Sequence, residues 1–168
     1  MEAINTRRSI RTYTDQEIES DKIEKLLRAG MQAPSSGNQQ SWEFLVIQDK
    51  ESLDILSLMS PYSRLAAKAS LVIIPLNNDD RLKFAENWQQ DLSAATENIL
   101  LEAVALGLGA VWLGVAPNEE KMGYITNCFE LPANLKPFAL IAIGYPAKGS
   151  ENKFVDRYDK TRVHYEKY

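Results

Sequence analysis

Three arginines fall within five positions near the start of the chain, in Arg7-Arg8-Ser9-Ile10-Arg11. Whether this stretch is extended or makes one helical turn, it sends two of its polar groups to one side, and guanidinium forks suit a phosphate with neighbouring hydroxyls. A second polar stretch, Ala33-Pro34-Ser35-Ser36-Gly37-Asn38-Gln39-Gln40-Ser41-Trp42, is dense in hydroxyls and carboxamides. Asn and Gln offer donor and acceptor together, so such a loop can bond a polar heterocycle or a hydroxylated chain. A third feature is glycine flanking apolar residues, in Gly107-Leu108-Gly109 and then Ala110-Val111-Trp112-Leu113-Gly114-Val115. A last basic cluster, Lys153, Arg157, Lys160, Arg162 and Lys167, is interleaved with Phe154, Tyr158, Tyr165 and Tyr168. Each of these also has a plainer reading: a solvated face, a connecting loop, a helix cap or an unstructured tail. Their joint presence is what suggests a ligand.

Composition narrows the chemistry. The chain has 168 residues, 45% of them hydrophobic, which suits one globular domain spanning residues 1–168. Its net charge of −4 offers no global basic field for nucleic acid or an anionic membrane, so any anion site must be local. Cys128 is the only cysteine and His164 the only histidine. That excludes an internal disulfide and argues against a Cys/His metal site or a histidine-based triad. Cys128 reads as a packed thiol and His164 as a residue of the tail. No basic-plus-apolar leader and no apolar run of membrane-spanning length is evident, so a soluble cytoplasmic protein is the expectation. Gly107-Leu108-Gly109 lacks the third glycine of a dinucleotide fingerprint and lies between helix and strand in the wrong order; no phosphate-binding P-loop sequence exists either.

The elements that must carry these groups follow from periodicity. The apolar residues of 91–108 leave only a narrow polar stripe of Ser93, Glu97, Asn98 and Glu102, which predicts a long helix buried on most sides. Gly107 and Gly109 are expected to supply the positive-φ positions that end it. Helices are also predicted over about 21–32, from an Asp49 cap to about residue 60, and from Pro117-Asn118 to about residue 129. Strands are predicted over 43–48, 71–76, 110–115 and 138–143. From about residue 147 the chain turns charged and aromatic and cannot form a core of its own; it is expected to be disordered or to lie as an arm along a partner subunit.

A cofactor with a phosphate for arginine, a hydroxylated chain for amides and an apolar ring for a slot would unite the three features, and flavin mononucleotide (FMN) has that anatomy. At this point the sequence resembles the nitroreductase superfamily of FMN-dependent oxidoreductases from end to end. The resemblance is carried by Arg7-Arg8-Ser9-Ile10-Arg11, by the stretch 33–42, by Asn98-Ile99-Leu100-Leu101 and Leu106-Gly107-Leu108-Gly109, and by Gly144-Tyr145-Pro146 and Lys160-Thr161-Arg162, in that order. It implies an α+β three-layer sandwich, with a mixed, mostly antiparallel sheet between helices. It also implies a homodimer with the long helix and two FMN molecules at the interface, and a C-terminal arm, about residues 147–168, exchanged with the partner. By resemblance, Arg7, Arg8 and Ser9 hold phosphate and ribityl, and Arg11 lies near flavin N1 and O2. Pro34, Ser35, Ser36 and Asn38 contact flavin across the interface. Leu113 and Gly114 bring backbone to N5, and Lys160 and Arg162 return to the phosphate.

The resemblance further implies hydride transfer from NADH or NADPH to the flavin. Electrons then pass to a small-molecule acceptor such as a nitroaromatic or quinone, in a ping-pong cycle with no metal and no essential protein acid or base. The chain is short for the family. The region 77–88, where longer members carry a helical excursion over the active site, is abbreviated, and Trp88 and Tyr62 are aromatics that could influence substrate choice. Two other readings use the same fold: a reductive dehalogenase-type branch and a flavin-binding sensor or store without turnover. An all-helical interaction module conflicts with four apolar strand runs.

Overall fold

In a computed structural model, which describes residues 2–168, a single sheet is sandwiched between two helical layers. The strands are β1 (Trp42–Ile47), β2 (Leu71–Asn78), β3 (Gly109–Gly114), β4 (Leu135–Pro137) and β5 (Ala139–Gly144), and the helices α1 (Glu2–Thr6), α2 (Ser20–Met31), α3 (Lys50–Ser57), α4 (Trp88–Ala105) and α5 (Glu119–Cys128). The sheet order is β1-β2-β5-β3, with β4 also on β2, and every strand pairing is antiparallel. The one parallel element is an isolated bridge from Ser9 to Ala110.

Strand periodicity sorts the core into two layers. Leu71, Ile73, Ala110, Ile141 and Ile143 face α2 and α4 and pack with Leu26, Ile99, Leu100 and Ala103. Val72, Ile74, Val111, Leu140 and Ala142 face the other way, onto Leu53 and Leu56 of α3 and Ile125 of α5. Because β2 and β5 are covered on both faces, their sequences are continuously apolar rather than alternating. A third cluster closes the end of the sheet beside the α4 N-terminus. There Phe138 packs edge-on to Trp88 at 6.0 Å and against Trp112 at 5.4 Å, ring centre to ring centre, with Leu92, Ala95, Ala33 and Trp42 around them.

Four elements depart from the sequence expectation. The short α1 has no buried residue, hence no apolar periodicity to read. β4 contains Pro137, and together with β5 forms one run across β2, interrupted at Phe138, whose N–H bonds Pro75 O at 2.9 Å. Gly107 does adopt positive φ, at 75°, but Gly109 does not. Gly109 is a strand residue whose missing side chain serves close packing, since a Cβ there would lie 2.6 Å from Ile10 Cγ2. Cys128, expected to be packed, is exposed at the end of α5. The capping reads hold: Asp49 accepts from Ser52 N at 2.9 Å, and Asn118 from Lys121 N at 2.9 Å. Among the described residues no helix is long and apolar enough to cross a membrane.

Candidate functional site

The arginine segment is built against the edge of the sheet. After α1, the chain lies beside the start of β3, where Ile10 N donates to Ala110 O at 3.0 Å and the Ile10 side chain enters the core beside Val111 and Tyr13. Tyr13 fixes the next turn by sharing its one hydroxyl proton between Ile10 O at 2.7 Å and Ala142 O at 3.0 Å. Burial of its ring pushes the phenol far above the usual tyrosine range. Arg7 is held by Glu97 of α4 at 3.4 Å. Arg8 spends its terminal nitrogens on the carbonyls of Arg7 and Asn5, while its buried Nε has no partner among the described residues. Arg11 is exposed and uses one donor on Ser9 O at 3.1 Å, leaving the rest of its guanidinium open.

One residue of the tail that sequence reasoning did not single out belongs to this cluster. Asn152 accepts from Arg8 N at 3.0 Å and donates to Leu108 O at 3.0 Å, so it pins the base of the tail to both the arginine segment and the turn after α4. Burial, with the nearby Arg157 and Arg7 charges, lowers the Arg8 pKa. Arg7, Arg8 and Arg157 therefore gather positive charge at the Gly109 end of β3. The later basic pair does not join them within the chain. Lys160 and Arg162 lie in an exposed turn of the tail, with Arg162 paired to Asp159 at 3.2 Å.

The remainder of the β3 edge is open. Ala110 turns its carbonyl outward to Ile10, and the two-residue period of a strand turns the backbone groups of Trp112 and Gly114 to the same side. The inward-facing Val115 N–H agrees with this phase, reaching Phe138 O across the sheet at 3.3 Å. Gly114 is exposed, and a Cβ built on it would meet nothing within 4 Å. Leu113 points to the opposite face with the α3 and α5 layer. Beyond the strand, Lys121 Nζ donates to Gly114 O at 3.2 Å. Four residues of strand, about 13 Å, thus separate the arginine-covered end from the Gly114 end, where the outward N–H has no partner among the described residues.

The hydroxyl and amide loop stands elsewhere on the molecule. Residues 36–38 form one tight turn in which Gly37 and Asn38 have positive φ, as does Gln40 beyond it. Pro34, Ser35, Ser36 and Asn38 all lie on this loop. Its anchor is Asp91, only 4% exposed, whose Oδ1 accepts from Ser36 N at 2.9 Å and Ser36 Oγ at 3.1 Å. Asp91 and Glu97 are six residues apart on α4, so they point to different sides of the helix, about 9 Å apart along its axis. The loop and the arginine segment therefore sit on different sides of α4 in one chain. Along α4, Ser93, Ala94, Glu97, Leu101 and Val104 are only partly covered, an accessible stripe at helical spacing.

Fold and site together define a three-layer sandwich with an arginine cluster at one end of a half-covered strand edge. Comparison with known proteins gives this class its family. The profile of the Nitroreductase family matches residues 4–75 and 58–145. An Archaeoglobus fulgidus protein provisionally named NADH dehydrogenase/NAD(P)H nitroreductase is 42% identical, over 100% of this chain and 98% of its own. The crystal structure of a Clostridium acetobutylicum protein provisionally named NADH oxidase superposes with a TM-score of 0.97, at 54% identity and 99% coverage of both chains. That of a provisionally named nitroreductase from Desulfovibrio desulfuricans, determined in complex with FMN, gives 0.85 at 34% identity, covering 99% of this chain and 96% of its own. The chain belongs to the nitroreductase family.

Proposed function

We propose that this protein is an FMN-dependent NAD(P)H oxidoreductase that works as a homodimer. When bound, FMN supplies the redox chemistry, taking hydride from NADH or NADPH at N5 and passing electrons to an acceptor such as a nitroaromatic or quinone. The single observation that carries this reading is the half-covered edge of β3, closed by the arginine segment at Ala110 and with the outward Gly114 N–H unpartnered among the described residues. It fits a molecule with a phosphate at one end and a flat ring at the other. The exposed Arg11 guanidinium, with most of its donors uncommitted among the described residues, supplies what such an anion requires.

The chain's own groups have distinct tasks. Arg7, Arg8 and Ser9 would hold the phosphate and ribityl chain. Arg11 would hold positive charge beside N1 and O2, which favours the anion left there by hydride transfer. The outward N–H of Gly114 would orient N5, and the absence of a side chain leaves room for the ring. Pro34, Ser35, Ser36 and Asn38 would reach the partner subunit's cofactor. Two observations favour that arrangement: the loop and arginine segment lie on different sides of α4, and the helix leaves an accessible stripe between them. The tail, from residue 147 to the end, carries exposed Phe154, Val155, Tyr158, Val163 and Tyr165 with no core to cover them. This composition suits an arm laid on the partner, bringing Lys160 and Arg162 to its phosphate.

Because donor and acceptor would use the same open face in turn, the cycle is ping-pong. Steady-state rates at several fixed NADH or NADPH concentrations, with a quinone and then a nitroaromatic as varied acceptor, should give parallel double-reciprocal lines. Converging lines would mean that both substrates bind together.

A further inference from the structure

Within its loop Gln39 has a fully engaged carboxamide. Oε1 accepts from Lys83 N at 2.9 Å and Phe84 N at 3.0 Å; Nε2 donates to Asp91 Oδ2 at 2.6 Å and Phe84 O at 3.3 Å. Two acceptor and two donor positions are thereby used, which is the whole capacity of a carboxamide. The orientation of the amide is dictated by its partners, since both Oε1 contacts are donors and both Nε2 contacts are acceptors. The side chain is 6% exposed and joins three elements: its own loop, the connection over residues 82–87, and α4 through Asp91.

What Gln39 holds is an exposed aromatic ring. Phe84 is 43% exposed and lies over Gly37, where a Cβ would meet Phe84 Cε2 at 2.4 Å. Gly37 therefore serves twice, by its positive φ and by giving the ring a flat seat. Between β2 and α4 the chain has only residues 79–87, and Phe84 is their sole aromatic. Nothing else in that short connection could present a ring beside residues 36–38.

Resting on the proposed function, we propose that Gln39 is a positioning residue that locks residues 82–87 onto the cofactor-contacting loop. Phe84 then becomes a fixed apolar wall of the space where a flat electron acceptor binds. Ser36 has its own bonds to Asp91, so loosening Gln39 frees Phe84 while leaving the loop anchored.

The test compares Gln39→Leu and Gln39→Glu with the unaltered holoenzyme. Hydrogen exchange at the Lys83 and Phe84 amides should quicken about tenfold in Gln39→Leu, because both lose their acceptor. With menadione as acceptor, KM should rise about tenfold while kcat and the FMN dissociation constant stay within about twofold. Gln39→Glu keeps both acceptors for the amides but sets a second carboxyl against Asp91. At neutral pH the repulsion of like charges should raise KM as Gln39→Leu does, and KM should fall back towards that of the unaltered protein as the pH is lowered. A merely structural residue would not show that recovery. Unchanged exchange at residues 83 and 84 would overturn the clamp, and faster exchange with an unchanged KM would overturn its role at the acceptor space. Failure of the unaltered protein to bind FMN would instead overturn the functional reading, with the exchange result still judging the clamp.

Discussion

The tight packing of Gly109 against Ile10 makes Gly109→Ala the most informative substitution. A Cβ at residue 109 would lie 2.6, 2.7 and 2.9 Å from Cγ2, Cβ and Cγ1 of Ile10, against the 3.4 Å at which ordinary contact begins, a shortfall of about 0.8 Å. Turning Ile10 to another rotamer does not help, because its Cβ is itself one of the obstructing atoms. Residues 7–11 must recede from β3, and the 3.0 Å bond from Ile10 N to Ala110 O stretches beyond useful reach. Overpacking of this kind costs about 1–3 kcal/mol, a fall of about 3–9 °C in Tm for a chain of this length. If residues 7–11 grip FMN, the same displacement should weaken its binding at least about tenfold. Thermal unfolding with and without FMN, and quenching of flavin fluorescence on titration, read the two effects separately. Gly114→Ala is the matched comparison. Its methyl meets nothing within 4 Å, so stability should hold to within about 0.5 kcal/mol while flavin reduction slows. A Gly109→Ala protein with unaltered Tm and unaltered FMN affinity would refute the reasoning.

Arg11→Ala should weaken FMN retention and slow reduction by NAD(P)H without unfolding the protein, since among the described residues its side chain bonds only Ser9 O; binding titrations and stopped-flow absorbance check both. If the tail is an arm laid on a partner subunit, removal of residues 155–168 should leave a monomer that no longer retains flavin, as seen by light scattering and by absorbance after gel filtration. For Tyr13, burial raises the folded-state pKa, so the unfolded chain ionises first as pH rises. Stability should therefore fall progressively above about pH 10, and Tyr13→Phe should remove this alkaline loss while costing about 1 kcal/mol near neutrality, measured by urea unfolding.

Most of the framework was legible because its signals are local. The apolar runs at 71–76 and 138–143 lie on doubly covered strands, and the Asp49 and Asn118 caps bond as their positions suggest. What escaped was set by contacts distant in sequence. Gly109 looked like a helix terminator beside Gly107, and only the packing of Ile10, a hundred positions earlier, gives it another purpose. Gln39 sat unremarked among five hydroxyl and amide neighbours because its partners, Lys83, Phe84 and Asp91, are more than forty residues away. A buried Asp91 inside an apolar helix was the available clue, for such a group requires donors and the loop is rich in them. Asn152 had no signal at all: a single asparagine in a charged tail carries no periodicity. The arginine segment itself was readable, though not that Arg7 would be spent partly on Glu97.

The decisive experiment is the visible absorption spectrum of the purified protein, reconstituted with FMN and titrated without oxygen, first with NADH and then with NADPH. Protein-bound flavin bands should bleach within seconds of adding at least one of the two nucleotides and return when a quinone is added. Flavin that fails to bind, or bound flavin that neither nucleotide bleaches, would contradict the proposed function.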